Sequence, residues 1–188
     1  MTVQQIWLFH VSDRAGLTSF EPRPALHPSA RVEGPVVWAV DAEHLRNYLL
    51  PRDCPRVTFH AGPASTPRDA AALLGPGGAS CVIAVETAWM ERIRSRSLVR
   101  YEFDPGSFEL HDATAGYWIS RRPVTPRAEV PLDDLLSALL QEDVELRVMR
   151  SLWRLREAVI TSSLEFSIIR MRNATPPPEG MEGYHPLP

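Results

Sequence analysis

Gly34-Pro35-Val36-Val37-Trp38-Ala39-Val40-Asp41 is the stretch on which the architecture turns. Five apolar residues behind a Gly-Pro break read as a buried strand. Asp41 follows as a good N-cap, predicting a helix that carries Leu45, Tyr48 and Leu49 and stops at Pro51. A strand that runs straight into a helix asks for a mixed fold, and the chain on either side decides which kind.

Upstream, Gln4 to Val11 reads as another buried strand, with Ile6, Leu8 and His10 on one face and Trp7, Phe9 and Val11 on the other. Ser12 to Gly34 is Pro-rich and irregular, with Phe20 and Leu26 as anchors. Downstream, Arg56 to His60 is a short strand, and Thr66-Pro67-Arg68-Asp69 has cap, proline and acid in the order of a helix start. Gly75-Pro76-Gly77-Gly78 ends that helix, Cys81 to Val85 is a strand, and Thr87 to Arg96 is a helix with Trp89 and Ile93 inward. Leu98 to Phe103 alternates, with Val99, Tyr101 and Phe103 in and Arg100 and Glu102 out. Tyr117 to Ile119 and Val124 to Val130 continue the sheet as edge candidates.

Pro131 to Gln141 reads as a helix with Leu132, Leu135, Leu136, Leu139 and Leu140 on one stripe. Val144 to Met149 is a strand, Ser151 caps a helix to about Ile160, and Glu165 to Arg172 is a last strand. The order lacks a regular βαβ rhythm, so the class is α+β rather than a doubly wound sheet. Residues 1–174 read as a single domain, and residues 175–188, with Pro176-Pro177-Pro178 and two glycines, as a flexible tail.

With 188 residues, 44% hydrophobic and 23% charged, the chain has the size and balance of one ordinary globular domain. No apolar run reaches the roughly 20 residues of a membrane span. The N-terminus lacks the pattern of a secretion signal, so a soluble cytoplasmic protein is expected. A formal net charge of −3 argues against a generic nucleic-acid binder. All 20 Lys-plus-Arg positions are Arg. No lysine is present to form a Schiff base, and every basic group is a planar fork suited to carboxylate or phosphate. Two cysteines make no disulfide framework and no zinc pair. The 18 prolines, about twice the usual ~5% share, predict short elements joined by stiff turns.

Neither a GxGxxG after a strand nor a Walker loop is present, since Gly75 to Gly78 lacks the following Lys. None of the six histidines pairs with another at metal-ligand spacing, which leaves only a His10, His44 and Asp53 set assembled in space. Cys54 lies between Arg52-Asp53 and Pro55-Arg56, where guanidiniums lower a thiol pKa and His44 or His60 can act as base. The favoured reading of the same cysteine is a small packing residue in a rigid corner.

Leu8-Phe9-His10-Val11-Ser12 ends a strand with a His, the Trp38 strand leads to Tyr48, and Ser162-Ser163-Leu164-Glu165 opens a late strand with a carboxylate. In outline this resembles the ADP-ribosyltransferase fold, with His, aromatic and Glu on three separate strands. The resemblance implies a split antiparallel or mixed sheet with peripheral helices, and NAD as substrate without a metal. It implies that His10 holds ribose, that Trp38 or Tyr48 stacks on nicotinamide, and that Glu165 stabilises an oxocarbenium-like state. Ser12 belongs to the same site, and Arg14 or Arg52 would hold the pyrophosphate. Trp38 stands where those enzymes usually carry Tyr, and no ExE pair flanks Glu165. Each residue also has a plain structural reading: a hydrogen-bonded core His, a packed Trp, a strand-edge acid.

His10-Val-Ser, Phe20-Glu-Pro-Arg-Pro24, Val37-Trp-Ala-Val-Asp41, Pro51-Arg-Asp-Cys-Pro-Arg56, Arg100-Tyr-Glu-Phe103 and Ile169-Arg-Met-Arg-Asn-Ala174 together resemble a family of uncharacterised bacterial proteins. That likeness implies a domain ending near Ala174 and no mechanism. The rival to an enzyme is a binding module in which Arg52, Arg56, Arg147, Arg170 and Arg172 line a cleft for an anionic nucleotide or peptide.

Overall fold

The computed structural model describes residues 7–25 and 31–180. The start of the first predicted strand, Leu26 and the end of the tail lie outside the described residues. Along the chain the strands are β1 (Leu8–Ser12), β2 (Val37–Val40), β3 (Arg56–His60), β4 (Cys81–Glu86), β5 (Leu98–Phe103), β6 (Glu109–Asp112), β7 (Tyr117–Ser120), β8 (Ala128–Leu132), β9 (Val144–Met149) and β10 (Glu165–Ile169). The helices are α1 (Pro67–Leu73), α2 (Met90–Ser95), α3 (Leu135–Gln141) and α4 (Trp153–Ile160). The fold is α+β, with two sheets of mostly antiparallel strands. They belong to two compact units: the first comprises the chain up to Leu49 with Ser97–Asp133, the second Leu50–Arg96 with the chain from Asp134.

In the first unit six strands run in the order β6-β7-β2-β1-β5-β8, every neighbouring pair antiparallel. Residues directly opposite one another share a face. The registers Leu8↔Phe103 and His10↔Tyr101 therefore put the β1 and β5 alternations in phase. On that face Leu8, Val37, Ala39, Val99, Tyr101, Phe103 and Val124 form a core, with Phe20 and Trp118 packed against it. Phe20 is the anchor expected in the Pro-rich stretch, bridging to Val124 at the backbone. The other face carries Phe9, Val40, Trp38, Ile119 and Tyr117, by the registers Phe9↔Val40, Trp38↔Ile119 and Val40↔Tyr117.

In the second unit four strands run β10-β3-β4-β9, antiparallel except for the parallel β4–β9 pair. All six residues of β4 are buried. A strand covered on both faces reads as a continuous apolar run, as Cys81 to Val85 does. Val57, Phe59, Val82 and Ala84 pack with Leu152, Trp153 and Val159 of the α4 region, Leu164 and Met171. Thr66 caps α1 by accepting from the Asp69 amide at 3.2 Å, with Pro67 in the first turn.

Several boundaries fall elsewhere than the sequence suggests. After Asp41 there is a turn and a 3₁₀ segment, Leu45–Tyr48, rather than an α-helix. Pro131 and Leu132 end β8, paired with Val99 and Leu98, and α3 starts only after Asp134, whose carboxylate accepts from Leu136 and Ser137 amides. Leu140 is consequently 70% exposed. Val124 makes an isolated bridge and β8 begins at Ala128. The last strand stops at Ile169 because Arg170 turns into the left-handed region, φ 58°, ahead of a 3₁₀ turn at Met171–Asn173. Strand β6, mostly exposed and without alternation, carries no sequence signal. Thr175, the first residue of the expected tail, is bonded: its N–H and hydroxyl both donate to Glu86 at 2.8 Å, and its carbonyl accepts from Trp153 Nε1.

Candidate functional site

The first unit gathers aromatic and titratable side chains where β2, β7 and β6 meet. Trp38 and Tyr117 share a sheet face and meet edge to face, centroids 5.5 Å apart. His111 on β6 also meets Trp38, at 5.4 Å and almost perpendicular to it. The 3₁₀ segment after β2 then places Tyr48, whose hydroxyl donates to the Tyr117 hydroxyl at 2.7 Å. All four side chains are half-buried. The hairpin that delivers Tyr117 is local chemistry: the Asp112 carboxylate accepts from the Thr114 and Ala115 amides and turns the chain.

Past the end of β2, Asp41 and His44 form a pair. Asp41 closes β2 and its N–H donates to the Gly116 carbonyl. Its Oδ1 accepts from the His44 backbone N–H at 3.0 Å and from His44 Nδ1 at 2.7 Å. A carboxylate only accepts, so Nδ1 carries the proton and Nε2 is the remaining lone-pair position of the neutral ring. Burial raises the Asp41 pKa, yet the bonds from His44 outweigh it and hold the carboxyl below its ordinary value. The same bond raises His44, offset in part by burial. Gly116 closes the arrangement with φ +64°. A Cβ there would lie 2.2 Å from His44 Nδ1 and 2.8 Å from Asp41 Oδ1.

Of the residues expected at an NAD site, Trp38 and Tyr48 come together, joined through Tyr117. His10 does not join them. Its ring lies on the opposite face, against Phe20 at 5.1 Å, and its Nδ1 donates to the Trp38 carbonyl rather than approaching the Trp38 ring. Ser12 is buried and accepts from the Arg14 amide. Arg14 is exposed, and its carbonyl accepts from the Tyr101 hydroxyl. Arg52 and Glu165 belong to the second unit. Glu165 opens the edge strand β10 opposite His60, its carboxylate 55% exposed and 3.8 Å from His60 Nε2. A single wall shared by the side chains of His10 and Trp38 is therefore not formed, because successive residues of paired strands alternate between faces.

The arginines are largely engaged within the chain. Arg56 is 2% exposed and donates to the carbonyls of Cys54 and Pro51. Arg147 pairs with Glu145 and donates to the carbonyls of Leu73 and Leu74 at the end of α1. Arg170 donates to the Arg52 carbonyl, and Asn173 to that of Asp53. The Pro51–Arg56 and Ile169–Ala174 motifs thus meet and brace each other. Burial pushes the Cys54 thiol up to about 12, outweighing the opposite pull of Arg56, which agrees with the reading of Cys54 as a packing residue rather than as a reactive thiolate. Among the described residues no three of His, Cys, Asp and Glu assemble as metal ligands, so the His10, His44 and Asp53 set does not form.

Sequence reasoning treated Asp41 as a helix cap, and His44 as a candidate metal ligand or a base for Cys54 rather than as the partner of Asp41. The available signal was their spacing of three across a turn immediately after a buried strand. Tyr117 and His111 gave none, since their place depends on the β2–β7 and β6–β7 pairings.

These features define an α+β protein with an aromatic wall on one sheet face and, in the turn after β2, an imidazole oriented by a carboxylate. The chain belongs to a family described as "Family of unknown function (DUF6886)", whose model matches residues 9–174. No curated protein and no solved structure matches it. Among the described residues, no helix is long and apolar enough to cross a membrane.

Proposed function

We propose that this protein binds a nucleotide through a planar heteroaromatic ring seated on Trp38, Tyr48 and Tyr117, and that the nicotinamide–ribose half of NAD is the group it takes. The observation that supports this reading is the convergence of those three rings and His111 on one face of the sheet, half-buried. The oxidised nicotinamide ring is a delocalised cation. Indole and phenol faces attract such a cation by about 0.5–2 kcal/mol beyond ordinary burial. Binding of this kind is the first step of the ADP-ribosyltransferase-like chemistry that the order of His10, Trp38 and Glu165 along the chain suggests. In the present reading Trp38 and Tyr48 carry recognition, and His10 supports the Trp38 backbone from the far side.

The test is a thermal-shift titration. At ten times Kd the stabilisation is RT ln 11, about 1.4 kcal/mol, which raises Tm by roughly 3–5 °C for a chain of this size. NAD is expected to give that shift at millimolar concentration, NADH, whose ring is neutral, a smaller one, and Trp38→Ala none. No shift of the wild-type protein at 10 mM NAD, taken as about ten times a millimolar Kd, overturns the reading.

A further inference from the structure

Resting on that reading and deepening it, we infer that the Tyr117 hydroxyl, itself accepting a hydrogen bond from Tyr48, selects the bound ring by donating to an exocyclic carbonyl oxygen such as that of the nicotinamide carboxamide. The registers Trp38↔Ile119 and Val40↔Tyr117 set Tyr117 on the same sheet face as Trp38, with the two rings 5.5 Å apart. The Tyr117 hydroxyl is therefore part of the wall itself. The backbone beneath it is held at two points: Val40 pairs with Tyr117, and the Gly116 carbonyl just before it accepts from the Asp41 N–H at 3.1 Å. Tyr48 arrives from the 3₁₀ segment, its ring tilted 58° to that of Tyr117 with centroids 6.5 Å apart. Its hydroxyl reaches the Tyr117 oxygen at 2.7 Å.

A phenol hydroxyl has one proton to give and lone pairs with which to receive. In this pair Tyr48 donates and Tyr117 accepts, so the Tyr117 proton stays available, and among the described residues it meets no acceptor. Accepting one bond strengthens an O–H as donor to the next, and the half-burial of Tyr117 limits competition from water. The planes of Trp38 and Tyr117 stand 74° apart, so a flat ring cannot stack on both. Laid on the Trp38 indole, the stronger cation platform, it turns its rim, where exocyclic groups project, toward Tyr117. A neutral hydroxyl suits a pyridinium there: it bonds the carbonyl dipole without the like charge that an Arg would bring. The carboxamide nitrogen only donates and finds no partner in a donor. The pair thus reads the carbonyl oxygen alone.

Calorimetric titration of the full chain with NAD and two analogues of it tests this. The acetylpyridine analogue keeps the carbonyl oxygen and loses the amide nitrogen. The thionicotinamide analogue keeps the nitrogen and replaces that oxygen by sulfur, a weak acceptor. Wild type is expected to bind NAD and the acetylpyridine analogue with similar affinity, and the thionicotinamide analogue about fivefold more weakly, the usual net worth of one hydrogen bond. Tyr117→Phe keeps the ring and is expected to bind all three at the weaker level. Equal wild-type affinity for NAD and the thionicotinamide analogue, a preference for NAD over the acetylpyridine analogue, or discrimination that persists in Tyr117→Phe overturns this inference alone. The wild-type comparison decides the matter if Tyr117→Phe does not fold. No binding of any of the three by the wild type overturns the binding reading and this inference with it.

Discussion

Two side chains, Cys54 and His44, show how differently a residue reads in sequence and in place. Cys54 is flanked by guanidiniums, which argues for a thiolate, yet it is 0% exposed and desolvation governs. A thiol pushed up to about 12 is almost wholly protonated at neutral pH. Iodoacetamide at pH 7.5 is therefore expected to label native Cys54 at least ~100-fold more slowly than a free thiol, with full labelling in denaturant. Mass spectrometry of the Cys54 peptide reads this directly, and labelling at a free-thiol rate in the native state would contradict it. His44 moves the other way: its only mark in the sequence is Asp41 three positions before it, and the contacts with Asp41 and Gly116 give it a direction. Identity and nearest neighbours were legible at both positions. Solvent access and partner geometry were not, because both are set by residues distant along the chain.

Elements whose signals are local were read correctly. Thr66-Pro67 starts α1, the Cys81 run is a buried strand, and the β5 alternation matches its core face. Errors cluster where pairing overrode local preference. Pro131 and Leu132 fit a helical stripe but are claimed by β5, and Asp41 was a credible cap for a helix that shrinks to one 3₁₀ turn. At that turn the β6–β7 hairpin and the β2 end interlock through Gly116. Gly116→Ala is expected to destabilise the first unit by about 1–3 kcal/mol, from strain at positive φ and contact with His44. Urea unfolding should show a lower midpoint at unchanged slope. An Ala variant as stable as the wild type would mean the His44–Asp41 pair is not seated as described.

On the scale of the molecule, both units are discontinuous in sequence. The first needs β1 and β2 from before residue 50 and β5 to β8 from after residue 96, and the second sheet pairs β3 with β10 at the far end of the chain. A fragment ending at Arg96 keeps β1 and β2 but lacks β5 and β7, the strands on either side of them. It is expected to show no cooperative urea transition by circular dichroism, and a native-like transition would contradict this division of the chain. The sequence by itself determined the α+β class, most strand and helix positions, and the residues able to do chemistry, since hydrophobic period and capping act over a few residues. It also held the paired motifs Pro51–Arg56 and Ile169–Ala174, although not that they brace one another. Only the tertiary structure decided which of those residues stand together. It turned His10 away from Trp38 and joined Trp38 to Tyr48 through Tyr117, because strand register alternates side chains between faces and joins residues about seventy positions apart.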